Sequence, residues 1–470
     1  MNPLILTIGA AIFLSCSALA TESDRIEDLI SKGEFTEAQK LIGNSRRTLS
    51  EFKSDSLLQI MTRIKSDFRI KYEDGVAEIQ DKYPNASIDN INDWEKANYI
   101  ETRIIDGQKY MFRKSLSNLE RLVPELSADK QALIIDTDKK RETYVSKIIA
   151  ENGEVCGLGT GRRITLKYAI DVDADVIPDG KMIRVWMPFP IESVRQKNVK
   201  IISSTDSVVF STSPTLNTVY MERESEKGKA AHFQVVFAYD VYPMYYTQEY
   251  LLQNVKPYNK KSEEYIFYTS TDRPQILLNQ EMKALAEKIV GNAKHPVVQA
   301  SLVFNWIDAH FPWAGAREYS TIPNLAEYAL ERGYGDCGQV SLLYITLLRN
   351  LGIPARWESG WALEPGDAGI HDWAEIYFEG VGWVPCDMSY GILKTNMNPD
   401  VMNFYKAGID FYRFAANRGV NGRFYPDKKY IRSETVDSQL GEVEWDGGNI
   451  FYYQGWFPSL EVVSVEKIAD

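Results

Sequence analysis

Apolar residues recur at helical spacing through the first quarter of the chain and at every second position in the next part. From residue 21 to about residue 133 the helical period dominates. IEDLISKGEFTEAQKLI, interrupted at Lys32-Gly33, predicts a helical hairpin, and Leu57, Ile60, Ile64 and Phe68 mark a longer helix after it. YIETRIIDGQKYMFRK reads as a β-hairpin turning at Asp106-Gly107, with LSNLERLV as a helix behind it. The polar run from Asp136 to Arg141 reads as a linker. Between Arg162 and Tyr242 the period changes to two in ITLKYAIDV, IRVWMPFP, VKIISS, TVYMERE and HFQVVFAYDV, which predicts a small antiparallel sandwich. EMKALAEKIVG and VVQASLVFNWIDAHF restore the helical period beyond a looser stretch at 242–268.

The segment GYGDCGQVSLLYITLLRNLGIPAR is apolar around nearly its whole circumference, so it predicts a buried central helix. Asp336 is an N-cap, Gly352 is suited to the left-handed terminator, and Pro354 blocks continuation. Cys337 therefore stands in the first turn, on a rigid support. A thiol of ordinary pKa, about 8.5, is only a few per cent thiolate at neutral pH. The helix terminus supplies roughly 0.3–1 kcal/mol, less than one pKa unit at about 1.36 kcal/mol per unit. Activation of this sulfur needs a histidine partner.

Of the histidines at 232, 295, 310 and 371, His371 has the suitable setting, opening HDWAEIYFEGVGWVPCD. This reads as two strands around a glycine turn, with Asp387 at the end of the second. Side chains alternate faces along a strand, so register decides whether the two can meet. An odd loop centred on Gly380 puts Trp373 opposite Asp387 and His371 on the diagonal; an even loop separates them. We expect the odd loop, with Cys386 on the other face. His232 and His310 read as structural, on a strand and at a helix end. Trp313, Gly338 and Trp373 are the candidate substrate-contacting positions, with loop anchoring as the commoner use of Trp313, and the Cys337 amide is the candidate oxyanion donor.

Cys337 at a helix start, LRNLGIPARWESGW after it, HDWAEIYF and GWVPCD resemble the transglutaminase-like superfamily over roughly residues 270 to 395. The resemblance implies a papain-like arrangement with Cys337 as nucleophile, His371 as base and acid, and Asp387 orienting the imidazole. One departure is Asp372, where a small residue is commoner in that family. The expected fold is α+β: a papain/transglutaminase-like core at 262–470, preceded by a β-sandwich at 160–245, a mainly helical module at 21–150 and a signal peptide at 1–20. The last segment, LGEVEWDGGNIFYYQGWFPSLEVVSV, is expected to form a hairpin turning at 446–449 and to join the catalytic sheet.

A net charge of −12 argues against broad nucleic-acid binding, which wants a basic face. Residues 1–20 carry no charged side chain and an apolar run from Leu4 to Leu14, as an export signal does. Cleavage after Ala20 would release a periplasmic or extracellular protein; lipidation at Cys16 would leave a membrane-anchored lipoprotein. The 4 cysteines imply no disulfide framework; Cys156 and Cys386 either pair with each other or remain buried thiols, the second use being the commoner. The scattered histidines support no zinc site, no calcium ligands are identifiable, and no cofactor is expected. The expected function is exported cysteine acyl transfer on an amide of a peptide, protein or glycopeptide, hydrolysis preferred slightly over transamidation. The alternative is a catalytically inactive binding or scaffold protein of the cell envelope.

Overall fold

The computed structural model describes residues 21–45, 48–152 and 156–468. The expected signal peptide, with Cys16, lies outside them. The N-terminal helical hairpin forms from Glu22–Lys32 and Phe35–Asn44, with Gly33 at φ 82° closing the first helix. A longer helix follows at Glu51–Asp67, and the hairpin Thr102–Ile105/Gln108–Met111 turns at Asp106-Gly107, both at positive φ.

The polar run at 136–141 is not a linker. It lies inside helix α1, Ala128–Asn152. Val145 and Ile148 are buried in the main core, whereas Asp138 and Arg141 face a cavity described below. The run is a polar stretch within one long helix, and its residue types carry no strong helix penalty beyond the modest one of aspartate and threonine.

The sandwich has two antiparallel sheets. In one, strand β1 (Arg162–Val172) lies between Ala231–Val241 and Trp456–Lys467, with Gln196–Ser204 at the far edge. In the other, Met182–Pro188 is flanked by Asn217–Glu224 and Glu442–Trp445, with Val209–Thr212 and Gly448–Ile450 outermost. Ile164, Leu166, Tyr168, Ile170 and Val172 are all buried on one face of β1, as its period requires. The C-terminal segment thus corrects the expectation: its hairpin forms, but its strands complete the two sandwich sheets and not the catalytic one. The physical reason is an open edge. Trp456 sits opposite Val172 and the pairing runs to Lys467 opposite Arg162, covering the side of β1 that Ala231–Val241 leaves free.

Within the catalytic region, helix α2 (Cys337–Asn350) packs against an antiparallel sheet of β2 (Ala355–Ala362), β3 (Gly369–Phe378), β4 (Gly382–Cys386) and β5 (Arg413–Asn417), in the order β4-β3-β2-β5. Every residue of α2 from Gly338 to Arg349 is buried. Leu342, Leu343, Leu347 and Leu348 are fully so, each contributing about 1.5–3 kcal/mol of apolar burial. That buried helix fixes Cys337 against the sheet.

The N-terminal module docks onto this region through buried polar groups. Asn118 exchanges two hydrogen bonds with the Gly315 backbone, at 3.0 and 2.8 Å. Glu101, 3% exposed, pairs with Arg317 at 3.2 Å and accepts from Tyr328 at 2.6 Å.

Candidate active site

The start of α2 is held by a capping box. The Asp336 carboxylate accepts from the Gln339 N–H at 3.2 Å, and the Gln339 side-chain oxygen accepts from the Asp336 N–H at 3.1 Å. The Tyr319 phenol also donates to Asp336, at 2.5 Å. The cap satisfies early backbone donors and leaves Cys337 in the first turn, partly exposed.

Strands β3 and β4 have the expected odd register. Ala374 faces Cys386 and Phe378 faces Gly382, with Gly380 at φ 85° at the centre of the loop. His371 then reaches diagonally across: its Nε2 lies 2.7 Å from Asp387 Oδ2. The other Asp387 oxygen accepts the N–H groups of Ser389 and Tyr390, each at 3.1 Å. Arg413, on β5 and 1% exposed, sits behind the pair with Nη2 at 3.2 Å from Asp387 and 2.9 Å from Asp410. Burial alone would raise the Asp387 carboxyl, but the His371 imidazole and the Arg413 guanidinium outweigh it and hold that carboxyl below its ordinary value. With Asp387 ionised, Nε2 carries the hydrogen and Nδ1 is left as the acceptor.

The thiol has a different partner. Cys337 Sγ donates to Asp372 Oδ2 at 3.2 Å, and its hydrogen bond does not go to His371. Burial pushes the Cys337 thiol well up from its ordinary value, and the carboxylates of Asp372 and Asp336 push the same way. The modest dipole effect of the helix start is outweighed. Asp372 is itself driven well above the carboxylate range, first by burial, then by Asp437 and Asp336.

Cys337 lies on the wall between two cavities. A larger one of about 810 Å³ is lined by Cys337, His371, Trp313, Tyr390 and Glu364 together with Leu133, Asp138, Arg141 and Tyr144 of α1. Arg141 lies 3.6 Å over the Tyr390 ring, and that ring packs 4.7 Å from the His371 imidazole. A smaller one of about 330 Å³ is lined by Cys337, Trp313, Asp372, Asp437 and Gln439. Among the described residues no group of three or more His, Cys, Asp and Glu side chains is arranged to hold a metal ion.

The structure therefore brings Cys337 and His371 to one cavity, joins His371 to Asp387, and puts Trp313, 39% exposed, on both cavity walls. Two expected substrate contacts are corrected. Trp373 is fully buried and gives its indole N–H to Glu358 at 2.8 Å, because Ile191, Ile409 and Ala415 pack over it. Gly338 is buried beneath Tyr319; a Cβ there would stand 2.2 Å from the phenol oxygen and 2.9 Å from Asp372 Oδ2. It makes room for those groups and lines neither cavity. Sequence reasoning missed Arg413 and Arg141, which no motif marks. Asp372 was visible as a departure from the family pattern.

The model of the transglutaminase-like superfamily matches residues 283–388, a span that contains Cys337, His371 and Asp387. The chain contains a transglutaminase-like domain. An uncharacterized protein, YebA, of Bacillus subtilis is 28% identical over 168 residues, 32% of this chain and 22% of the relative. An uncharacterized protein of Haemophilus influenzae is 25% identical over 254 residues, 45% of this chain and 65% of that protein. The chain thus spans less than two thirds of the length of each of these curated relatives. Among solved structures, a proposed cysteine protease from Cytophaga hutchinsonii aligns at 14% identity over 67% of this chain and 96% of that one, with a TM-score of 0.41. The periplasmic domain of TgpA from Pseudomonas aeruginosa aligns at 14% identity over 55% of this chain and 96% of that one, with a TM-score of 0.25. The transglutaminase-like domain thus sits between the sandwich strands that precede it and those that follow it. Among the described residues, no helix is long and apolar enough to cross a membrane.

Proposed function

We propose that the chain is an exported cysteine enzyme of acyl transfer, acting on the amide of a peptide, protein or glycopeptide through a thioester, with hydrolysis preferred over transamidation. The observation that carries this reading is the 2.7 Å bond between His371 and Asp387, with His371 opening onto the same cavity as Cys337. His371 Nδ1 takes the Sγ proton, and the sulfur attacks the carbonyl carbon. The carbon–nitrogen bond breaks as the imidazolium returns that proton to the leaving amine. Water, activated by the same imidazole, then attacks the thioester, and the thiol is restored. The Cys337 N–H, at a helix start where backbone donors lack intrahelical partners, serves the developing oxyanion. The charge-free, apolar residues 1–20 support export, and Cys16 as a lipid-anchor site stands beside cleavage after Ala20.

A second reading, a binding protein that keeps the fold without turnover, is favoured by one observation: the Cys337 thiol is bonded to a carboxylate and pushed up, opposite to an activated nucleophile. Incubation of the full chain with peptide and primary-amine libraries, read by mass spectrometry, separates the two. The enzyme reading expects product formation and a trapped acyl adduct on Cys337, both absent in Cys337→Ala and strongly reduced in His371→Ala. A product yield equal in wild type and Cys337→Ala, or no product and no adduct, sinks it.

A further inference from the structure

We propose that Asp372 is a further catalytic residue, a carboxyl in contact with the attacking sulfur whose own proton decides whether Cys337 is released for reaction. The inference rests on Cys337 being the nucleophile and adds how that sulfur is governed. Its basis is geometric. Asp372 Oδ2 takes the Cys337 S–H at 3.2 Å, and Oδ1 takes the Gln439 side-chain N–H at 2.8 Å. The carboxyl is 3% exposed on β3, on the face opposite His371. It borders the smaller cavity.

The groups around Asp372 make its charge costly. From the start of α2 come Asp336 and Cys337, and from the segment after residue 433 come Glu434, Asp437 and Gln439. Tyr319, from the turn at 319–321, gives its proton to Asp336. The cations on this cavity are engaged elsewhere or poorly solvated: Arg113 pairs with Asp67, Arg317 pairs with Glu101, and burial holds Lys114 below its ordinary value. Asp437 is pushed up to about 6 and Asp372 is pushed well above its ordinary value, both chiefly by burial, so Asp372 exchanges its proton far above the usual carboxylate range.

Two states follow. With Asp372 ionised, the thiol proton is pinned in an S–H···O⁻ bond, and removing it would set two negative charges about 3 Å apart, which shifts ionisation by roughly 1–3 units. With Asp372 protonated, its O–H donates to the sulfur and the thiolate–imidazolium pair forms, the sulfur proton passing to His371 and the carboxyl proton coming from solvent. Acidification therefore releases the nucleophile, and alkalinisation restrains it.

The test is the iodoacetamide alkylation rate of Cys337 in the full chain, mapped by peptide mass from pH 4 to 9, in wild type and Asp372→Asn. The amide keeps the Gln439 bond and presents an N–H to the sulfur. Alkylation of the variant is expected to be about 10- to 1,000-fold faster at the alkaline end of the range and to converge with wild type at the acid end. Asp437→Asn supplies a second reading: with one neighbouring charge gone, Asp372 ionises earlier and the wild-type restraint sets in at lower pH. Superposed profiles, a slower Asp372→Asn at the alkaline end, or no displacement in Asp437→Asn overturns the proposal. Alkylation needs no turnover, so failure of the substrate screen leaves this result standing, and the converse holds.

Discussion

Arg413 carries the most exposed prediction, because one buried guanidinium serves two buried carboxylates. In Arg413→Met the side chain keeps similar bulk and loses the bonds to Asp387 at 3.2 Å and Asp410 at 2.9 Å, with the contact over the Tyr390 ring at 4.4 Å. At an effective dielectric of about 20, each ion pair is a gross attraction of roughly 5–6 kcal/mol, most of it offset by desolvation. Removing one partner of a buried pair costs about 3–5 kcal/mol, because the survivor stays buried and uncompensated. Here the survivors keep some partners. Asp387 retains His371 and two backbone N–H groups, and Asp410 retains the Tyr405 hydroxyl at 3.0 Å and the Tyr412 N–H at 2.7 Å. The expected loss is therefore at the low end, about 3 kcal/mol, with Arg413→Lys between wild type and Met. Urea denaturation followed by tryptophan fluorescence measures it. The pH dependence has a definite sign. The folded-state pKa of Asp387 is lowered, so the stability it contributes is complete above about 3.9 and is lost as pH falls through the lowered value. The gap between wild type and Arg413→Met must narrow in that window. A loss under about 1 kcal/mol at neutral pH, or a gap that does not change between pH 7 and 3, refutes the reasoning.

Two further outcomes test the surroundings of the site. Gly338→Ala forces the Tyr319 phenol away from a Cβ at 2.2 Å and is expected to cost about 1–3 kcal/mol by overpacking. Tyr319→Phe in the same chain should recover part of that cost in a double-mutant cycle, and strict additivity would contradict the contact. Asn118→Leu strands the buried Gly315 N–H and C=O and should loosen the N-terminal module by about 2 kcal/mol, read as faster hydrogen exchange at Gly315. Unchanged exchange there would mean that the docking contact is not formed.

Local rules made the heart of the site legible. Asp336 before Cys337 is a cap by side-chain chemistry alone, and the meeting of His371 with Asp387 follows from strand parity once Gly380 is the loop centre. Features that depend on distant partners were not legible. LEVVSV alternates in the same way whichever sheet it joins, so the pairing of Trp456–Lys467 with β1 is decided by which edge is left open. The polar residues at 136–141 look like a linker until Val145 and Ile148 are seen buried on the same helix. Trp373 reads as an aromatic beside the histidine and does share its face of β3, but Ile191, Ile409 and Ala415, from distant parts of the chain, cover it there. Arg413 lies far along the chain from the motif it supports, and nothing in its neighbourhood of sequence marks it.

The strand at Trp456–Lys467 also bears on the order in which the molecule is made. Its partner β1 leaves the ribosome nearly three hundred residues earlier, with the whole transglutaminase-like segment translated in between. Until synthesis passes residue 467, β1 presents unpaired backbone along its length, an edge to which other chains could add. A chain cut after residue 455 would hold the thiol site on a scaffold that lacks its closing strand. Excising residues 262–440 as a separate unit would free the sandwich of its insert and also remove the chain that carries its closing strand to its place.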